Sequence, residues 1–305
     1  MSEEIIRKNS PKAWLLAARP KTLTGCAVPV MIGLALAYTD AQAYYGDSEA
    51  FSWIAAVLCL LFAFIMQIDA NFVNDFFDYT RGNDDATMRL GPLRACTHGW
   101  VSIEAMKHAI ASTTVLACLV GLPLVYYGGL EMIAVGLLCV VFCFLYTTHL
   151  SYIGLGDLLV LLFFGIVPVC CTYYVQLHTI TWQVFIASVA CGLVVDALLI
   201  VNNYRDRYND EADGKRTLVV IIGADATEWL YLALGCVVCL MGLVFWANGH
   251  VLAFVLPFIY LLFHTFTWIK MRRMNYGRQL NECLGETARN IFIYGLCVTV
   301  GILLL

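Results

Sequence analysis

The stretch Asn71-Phe72-Val73-Asn74-Asp75-Phe76-Phe77-Asp78-Tyr79-Thr80-Arg81-Gly82-Asn83-Asp84-Asp85 decides how this chain is read. It follows an apolar run long enough to cross a bilayer. Asn71, Asn74, Asp75 and Asp78 fall at i, i+3, i+4 and i+7, which places four oxygen-bearing side chains on one helix face. Carboxylates at the mouth of a membrane helix are costly unless a cation meets them. A hard divalent ion fits, because Mg2+ prefers a few carboxylates plus phosphate oxygens and water over a closed protein cage. Asp84 or Asp85 on the following loop adds a further ligand. A merely solvated helix end needs no such stripe. A second stretch, Asn202-Asn203-Tyr204-Arg205-Asp206 through Asp210 and Asp213, repeats the plan. There Asp206 and Asp210 are i, i+4, and Asn203 and Asp213 extend the row.

The composition puts both stretches in a membrane. Of 305 residues, 61% are hydrophobic and 13% charged, against about 25% charged in soluble domains. Mean hydropathy is +0.78. The chain reads as an all-α polytopic protein. Nine apolar runs reach the roughly 20 residues a spanning helix needs, at roughly 22–39, 52–74, 106–125, 129–147, 155–175, 182–203, 227–247, 250–269 and 286–305. The polar start, Met1 to Lys12, argues against a cleavable signal peptide. The thirteen cysteines are scattered through apolar runs, where Cys acts as a small apolar residue. Cys236 and Cys239 form a CxxC without the neighbours that redox or metal chemistry needs.

Charge then sets the expected topology. The eighteen Lys and Arg fall in four groups: Arg7–Lys21, Arg81–Lys107, Arg205–Arg216 and Lys270–Arg289. With nine spans, all four lie on one side of the membrane, and eight or ten spans break the pattern. That side is expected to be cytoplasmic, with the N-terminus and both aspartate-rich stretches there and the C-terminus outside. The acidic helix end followed by a basic, Gly-containing loop occurs twice. This predicts one domain, 1–305, of two pseudo-repeat halves, about 14–147 and 152–305, whose acidic ends meet at one site.

Other residues support that site. In Arg89-Leu90-Gly91-Pro92-Leu93-Arg94, Gly-Pro makes a turn that can aim Arg89 and Arg94 at phosphate oxygens. Gly214-Lys215-Arg216-Thr217 brings basic groups beside Asp210. Lys21 follows Arg19-Pro20 at the start of the first span. Three acidic residues lie inside or close to apolar runs: Asp157, then Asp69 and Asp196 in order of functional interest. The six histidines show no metal-ligand spacing. No basic patch points to nucleic acid, and no obligatory protein partner is evident; the bilayer itself is the expected surrounding.

Taken together, Asn74-Asp75-x-x-Asp78 with Asp84, and Asn203-x-Arg205-Asp206-x-x-x-Asp210, resemble the two aspartate-rich motifs of the UbiA superfamily of membrane prenyltransferases. Ala18-Arg19-Pro20-Lys21-Thr22, Arg89-x-Gly91-Pro92-x-Arg94, Gly154-Leu155-Gly156-Asp157 and Gly214-Lys215-Arg216-Thr217-Leu218 resemble its branch acting on 1,4-dihydroxy-2-naphthoate in menaquinone synthesis. The resemblance implies nine helices around a central cavity, in a bacterial inner membrane. It implies a polyprenyl diphosphate donor held through Mg2+ on Asp75, Asp78, Asp84, Asp206 and Asp210. Arg94, Arg205, Lys215 and Lys21 would then neutralise the leaving group, and Asp206 or Asp210 would serve as base toward the ring hydroxyl. Asn71, Asn74, Asn203, Arg89, Asp157 and Tyr152 are the further expected substrate contacts. The segment Tyr146–Tyr152 departs from the pattern by reading as a shorter loop. Other readings are a 4-hydroxybenzoate, haem or chlorophyll type prenyltransferase, a phosphatidyl-type transferase, or a transporter. A transporter places its ionisable groups near the midplane, unlike the pattern here.

Overall fold

The computed structural model describes residues 6–46, 50–82 and 89–304. Among these, nine helices are long and apolar enough to cross a membrane: Pro11–Tyr44, Trp53–Thr80, Ile103–Gly121, Glu131–Leu150, Gly156–Leu177, Trp182–Ala212, Ala224–Ala247, Val251–Met274 and Leu280–Leu303. They are numbered one to nine below.

Local chemistry sets where they begin and end. Ser52, Ser102 and Thr181 cap spans two, three and six, their hydroxyls accepting from the amides of Ala55, Ala105 and Val184; each satisfies an amide the helix leaves open. Gly46, at φ 69°, ends span one in the left-handed conformation that suits glycine. Span one is broken near its start: Arg19 takes φ 50°, separating the short helix Pro11–Ala18 from Leu23–Tyr45. A π-helical turn, Leu162–Ile166, interrupts span five.

Span six is the most enclosed and span four the least. Span six packs against spans five, seven and nine, span one against spans five and nine, and span two against span three. Spans five and six meet through Gly165 and Gly192. A Cβ on Gly165 would lie 2.6 Å from both the Gly192 Cα and the Ser188 carbonyl oxygen. Small residues let membrane helices approach this closely. Because backbone atoms cannot yield, Gly165→Ala is expected to cost about 1–3 kcal/mol. A lower thermal midpoint in detergent, with Gly136→Ala unchanged as the control in open space, is the measurement that checks it.

Three expectations are corrected. Spans two and six run on to Thr80 and Ala212, past the expected ends near 74 and 203, so Asn71–Asp78 and Asn202–Asp210 lie on continuous helix. Span nine begins at Leu280, so Arg289 sits on its third turn, not its first. Tyr146–Leu150 is a π-helical continuation of span four rather than a loop.

Candidate active site

Span two carries its polar residues in two directions. Asn71, Asn74 and Asp78 line a cavity of about 1490 Å3. Asp75 does not. It is 1% exposed, and its two carboxylate oxygens accept from the backbone amides of Ala95 and Cys96 at 2.9 and 3.1 Å. Asp75 thus anchors the segment after Arg94 to span two, which corrects its reading as a metal ligand. Asp84, also read as a ligand, lies outside the described residues.

Each remaining polar group has a defined place. Arg94 reaches Asp78 at 2.6 Å and donates to the Asn74 amide oxygen at 3.0 Å. Asn71 donates to the Ala18 carbonyl at 2.9 Å and to Thr22 at 3.0 Å. It therefore holds the Arg19–Thr22 turn, which brings Arg19 and Lys21 to the cavity wall.

Span six supplies the facing wall. Arg205 is 1% exposed and pairs with Asp206 through both Nε and Nη2. It also donates to Asn202 at 2.9 Å and to Asn281 of span nine at 2.8 Å. Asn281 in turn donates to the Leu90 carbonyl at 2.8 Å, so the Arg89–Arg94 turn, span six and span nine are tied through one guanidinium. Gly91 makes room for it, since a Cβ there would come 2.7 Å from Arg205 Nη2. Arg89 lines the cavity and donates to the Pro92 carbonyl at 2.7 Å.

Asp210 pairs with Lys215 at 3.3 Å. Burial lowers the Lys215 pKa, but Asp210, then Asp78 and Tyr152, outweigh it, and the ammonium ends above the ordinary lysine value. Lys215 and Arg81 both approach the Tyr152 ring, at 5.2 and 5.3 Å from its centroid. The Tyr152 carbonyl accepts from the Arg216 amide at 3.0 Å. Gly154, at φ 83°, lets that contact form: a Cβ would lie 2.5 Å from the Arg216 oxygen.

Asn203 and Asp157 also line the cavity. Asp157 Oδ1 is buried without a hydrogen-bond partner, so it keeps an acceptor for whatever enters. Asp69 is explained otherwise, for it accepts from Thr113 and Thr114 at 2.5 and 2.8 Å. Asp196 is buried and off the cavity wall.

Sequence reasoning passed over Asn209, Tyr146 and Arg289 as site residues, though all three line the cavity. Asn209 sits one turn after Arg205 and was legible as part of the stripe. Arg289 was hidden by an expected helix start six residues late.

The polar groups occupy one end of the cavity. The rest is walled by apolar side chains, including Val30, Phe62, Met132 and Phe163 of spans one, two, four and five and Leu124 of the short helix Leu124–Gly128 between spans three and four. Among the described residues no three His, Cys, Asp or Glu side chains converge as a ready-made metal cage. The polar end instead offers Asp78, Asp206 and Asp210, hard oxygen donors beside arginines. That donor set fits Mg2+, which keeps waters and takes phosphate oxygens from its substrate.

Such an architecture defines a class: a polytopic membrane protein with a large cavity that matches a molecule with an anionic head and an apolar tail. The chain belongs to the UbiA prenyltransferase family, whose sequence model matches residues 26–282. It is 36% identical over 251 residues to the 1,4-dihydroxy-2-naphthoate octaprenyltransferase of Escherichia coli, covering 79% of this chain and 78% of that one. It is 34% identical to the enzyme of that name from Mycobacterium tuberculosis, covering 72% and 73%. Solved structures share the fold at low identity. A UbiA homologue from Aeropyrum pernix matches at TM-score 0.69 and 15% identity, over 91% of this chain and 97% of that one. One from Archaeoglobus fulgidus, bound to DMAPP and Mg2+, matches at 0.59 and 15%, over 94% and 99%.

Proposed function

We propose that this chain transfers a polyprenyl group from polyprenyl diphosphate to 1,4-dihydroxy-2-naphthoate, releasing diphosphate and CO2 and giving demethylmenaquinol, the reduced form that is recovered as demethylmenaquinone after oxidation. The observation that carries this reading is one cavity with acidic and basic groups from spans two and six at one end and an apolar wall beyond. The similarity to named naphthoate octaprenyltransferases supports the acceptor.

In this reading Asp78, Asp206 and Asp210 would hold Mg2+, which would supply the positive charge that makes diphosphate a better leaving group. Arg94, Arg205, Arg89, Lys215 and Lys21 bind the diphosphate oxygens and stabilise the charge that grows there. The Arg94–Asp78 and Arg205–Asp206 pairs balance one another until a diphosphate engages the arginines. The apolar wall takes the tail and excludes water from the allylic cation. Asp157 and Asn203 orient the acceptor ring. The ring carbon forms the new C–C bond, the ring carboxylate leaves as CO2, and Asp206 or Asp210 takes the hydroxyl proton.

The direct test is expression in a bacterial host lacking its own naphthoate prenyltransferase, with mass analysis of the extracted quinones. Demethylmenaquinone restored is the expected result, and ubiquinone precursors restored instead would overturn the acceptor assignment. Lys215→Met is expected to raise the KM for prenyl diphosphate by about tenfold or more, the range of a charged hydrogen bond. Because the Lys215 pKa is raised, its contribution is full at neutral pH and fades only as pH climbs through the raised value. A pH series of KM for wild type and variant should converge only at strongly alkaline pH.

The polar end and the N-terminus are assigned to the cytoplasmic side of a bacterial inner membrane, from the one-sided Lys and Arg distribution. A reporter active only outside the cytoplasm, fused after the last residue, should be active. Activity from a cytoplasmic reporter alone sinks the assignment.

A further inference from the structure

Away from the active-site cavity, spans seven and eight flank a shallow, open pocket of about 430 Å3, lined by Glu228, Trp268, Ile269, Arg272 and Arg273. It faces the outside of the bundle, on the side where the Lys and Arg groups gather. The Arg272 guanidinium lies over Trp229 and Trp268, 5.2 and 5.1 Å from their centroids. Its Nε donates to Glu228 at 2.9 Å. The other Glu228 oxygen accepts from Tyr204 at 2.7 Å. Glu228 thus has one oxygen on Arg272 and the other on Tyr204, and among the described residues no carboxylate hydrogen-bonds the Arg272 Nη groups or Arg273. Trp268 Nε1, on the same pocket wall, is buried without a hydrogen-bond partner.

The surface that leads into this pocket is apolar. Leu262, Phe266, Ile269 and Arg273 follow one another at four, three and four residues, which is one stripe of span eight. Leu262 and Phe266 are exposed. Trp229, Val237 and Leu240 expose the neighbouring face of span seven. Trp229 lies within two turns of the start of span seven, and Arg273 at the last turn of span eight. Tryptophans at that depth belong to the headgroup layer. Basic pockets between membrane helices on the cytoplasmic side hold anionic headgroups.

We propose that this pocket binds the phosphate headgroup of an anionic phospholipid, with its acyl chains along the Leu262–Phe266 stripe. The ligand chemistry is a phosphate monoanion presented at the bilayer surface. Arg272 and Arg273 supply charge, and the Trp229 and Trp268 rings hold the Arg272 guanidinium in place. Glu228 sets the arginine orientation without competing for the headgroup. A zwitterionic lipid brings its own cation toward two guanidiniums, so phosphatidylglycerol is favoured over phosphatidylcholine.

Native mass spectrometry of the full chain, exposed in mild detergent to equal phosphatidylglycerol and phosphatidylcholine, tests this. Wild type should retain phosphatidylglycerol preferentially. Each arginine near an anionic surface is worth about fivefold in affinity, so Arg272→Gln with Arg273→Gln should lower retention by about twenty-fivefold. Arg273→Gln alone breaks no contact in the fold and should still lower it about fivefold, which covers the case in which the double variant fails to fold. Inorganic phosphate at millimolar concentration should leave retention unchanged. Equal retention of the two lipids by wild type, or undiminished retention by Arg273→Gln, overturns the proposal. Displacement by inorganic phosphate also overturns it, in favour of a soluble-anion site.

Discussion

Asp78→Asn or Asp206→Asn should lower prenyl transfer in membranes by about a hundredfold or more, the scale of losing a group aimed at developing charge. Both substitutions keep side-chain volume and one oxygen that Arg94 or Arg205 can still bond. The thermal midpoint is therefore expected to move much less than the rate. Asp75→Asn supplies the contrast. Its carboxylate accepts two backbone amides, and an asparagine would turn an N–H toward one of them. That loss is expected to cost about 1–3 kcal/mol of stability, with the rate per folded molecule largely retained. Transfer near the wild-type rate in Asp78→Asn would remove Asp78 from the metal site, and Asp75→Asn losing only activity would restore Asp75 to it.

Arg205→Lys is the second large effect expected. An ammonium offers no planar fork, whereas Arg205 contacts Asp206, Asn202 and Asn281 at once. The substitution cuts the link that holds the Arg89–Arg94 turn against spans six and nine. Transfer should fall by about a hundredfold, as for loss of one preorganised donor. The Asp206 side chain is 23% exposed, so water takes up part of its unpaired charge. The stability cost should then stay below the roughly 3–5 kcal/mol of a fully buried broken pair. Assaying the rate and the thermal midpoint together separates the two losses. Gly91→Ala should reproduce part of the rate loss, because its Cβ would press on the same guanidinium.

The nine spans and the one-sided Lys and Arg distribution were legible because both depend on solvent alone: a bilayer needs about 20 apolar residues and biases Lys and Arg to one face. The two acidic rows were legible as helix stripes. Their reading failed at Asp75, at the edge of the stripe. At 3.6 residues per turn, Asn74 and Asp75 stand about 100° apart on the helix, so both cannot face the same partner. The amides of Ala95 and Cys96, twenty residues downstream, captured Asp75, and no local pattern announces that. Arg289 escaped for a similar reason, since its helix starts in a polar segment that hydropathy does not register. The sequence by itself therefore determined the number of membrane helices and the kind of residue at their ends, because each follows from short-range preference and transfer free energy. Only the tertiary structure decided which carboxylates share the cavity, that Arg205 joins three elements, and that Arg272 bonds Glu228 between the rings of Trp229 and Trp268. Those outcomes depend on which partners distant segments bring within hydrogen-bond reach.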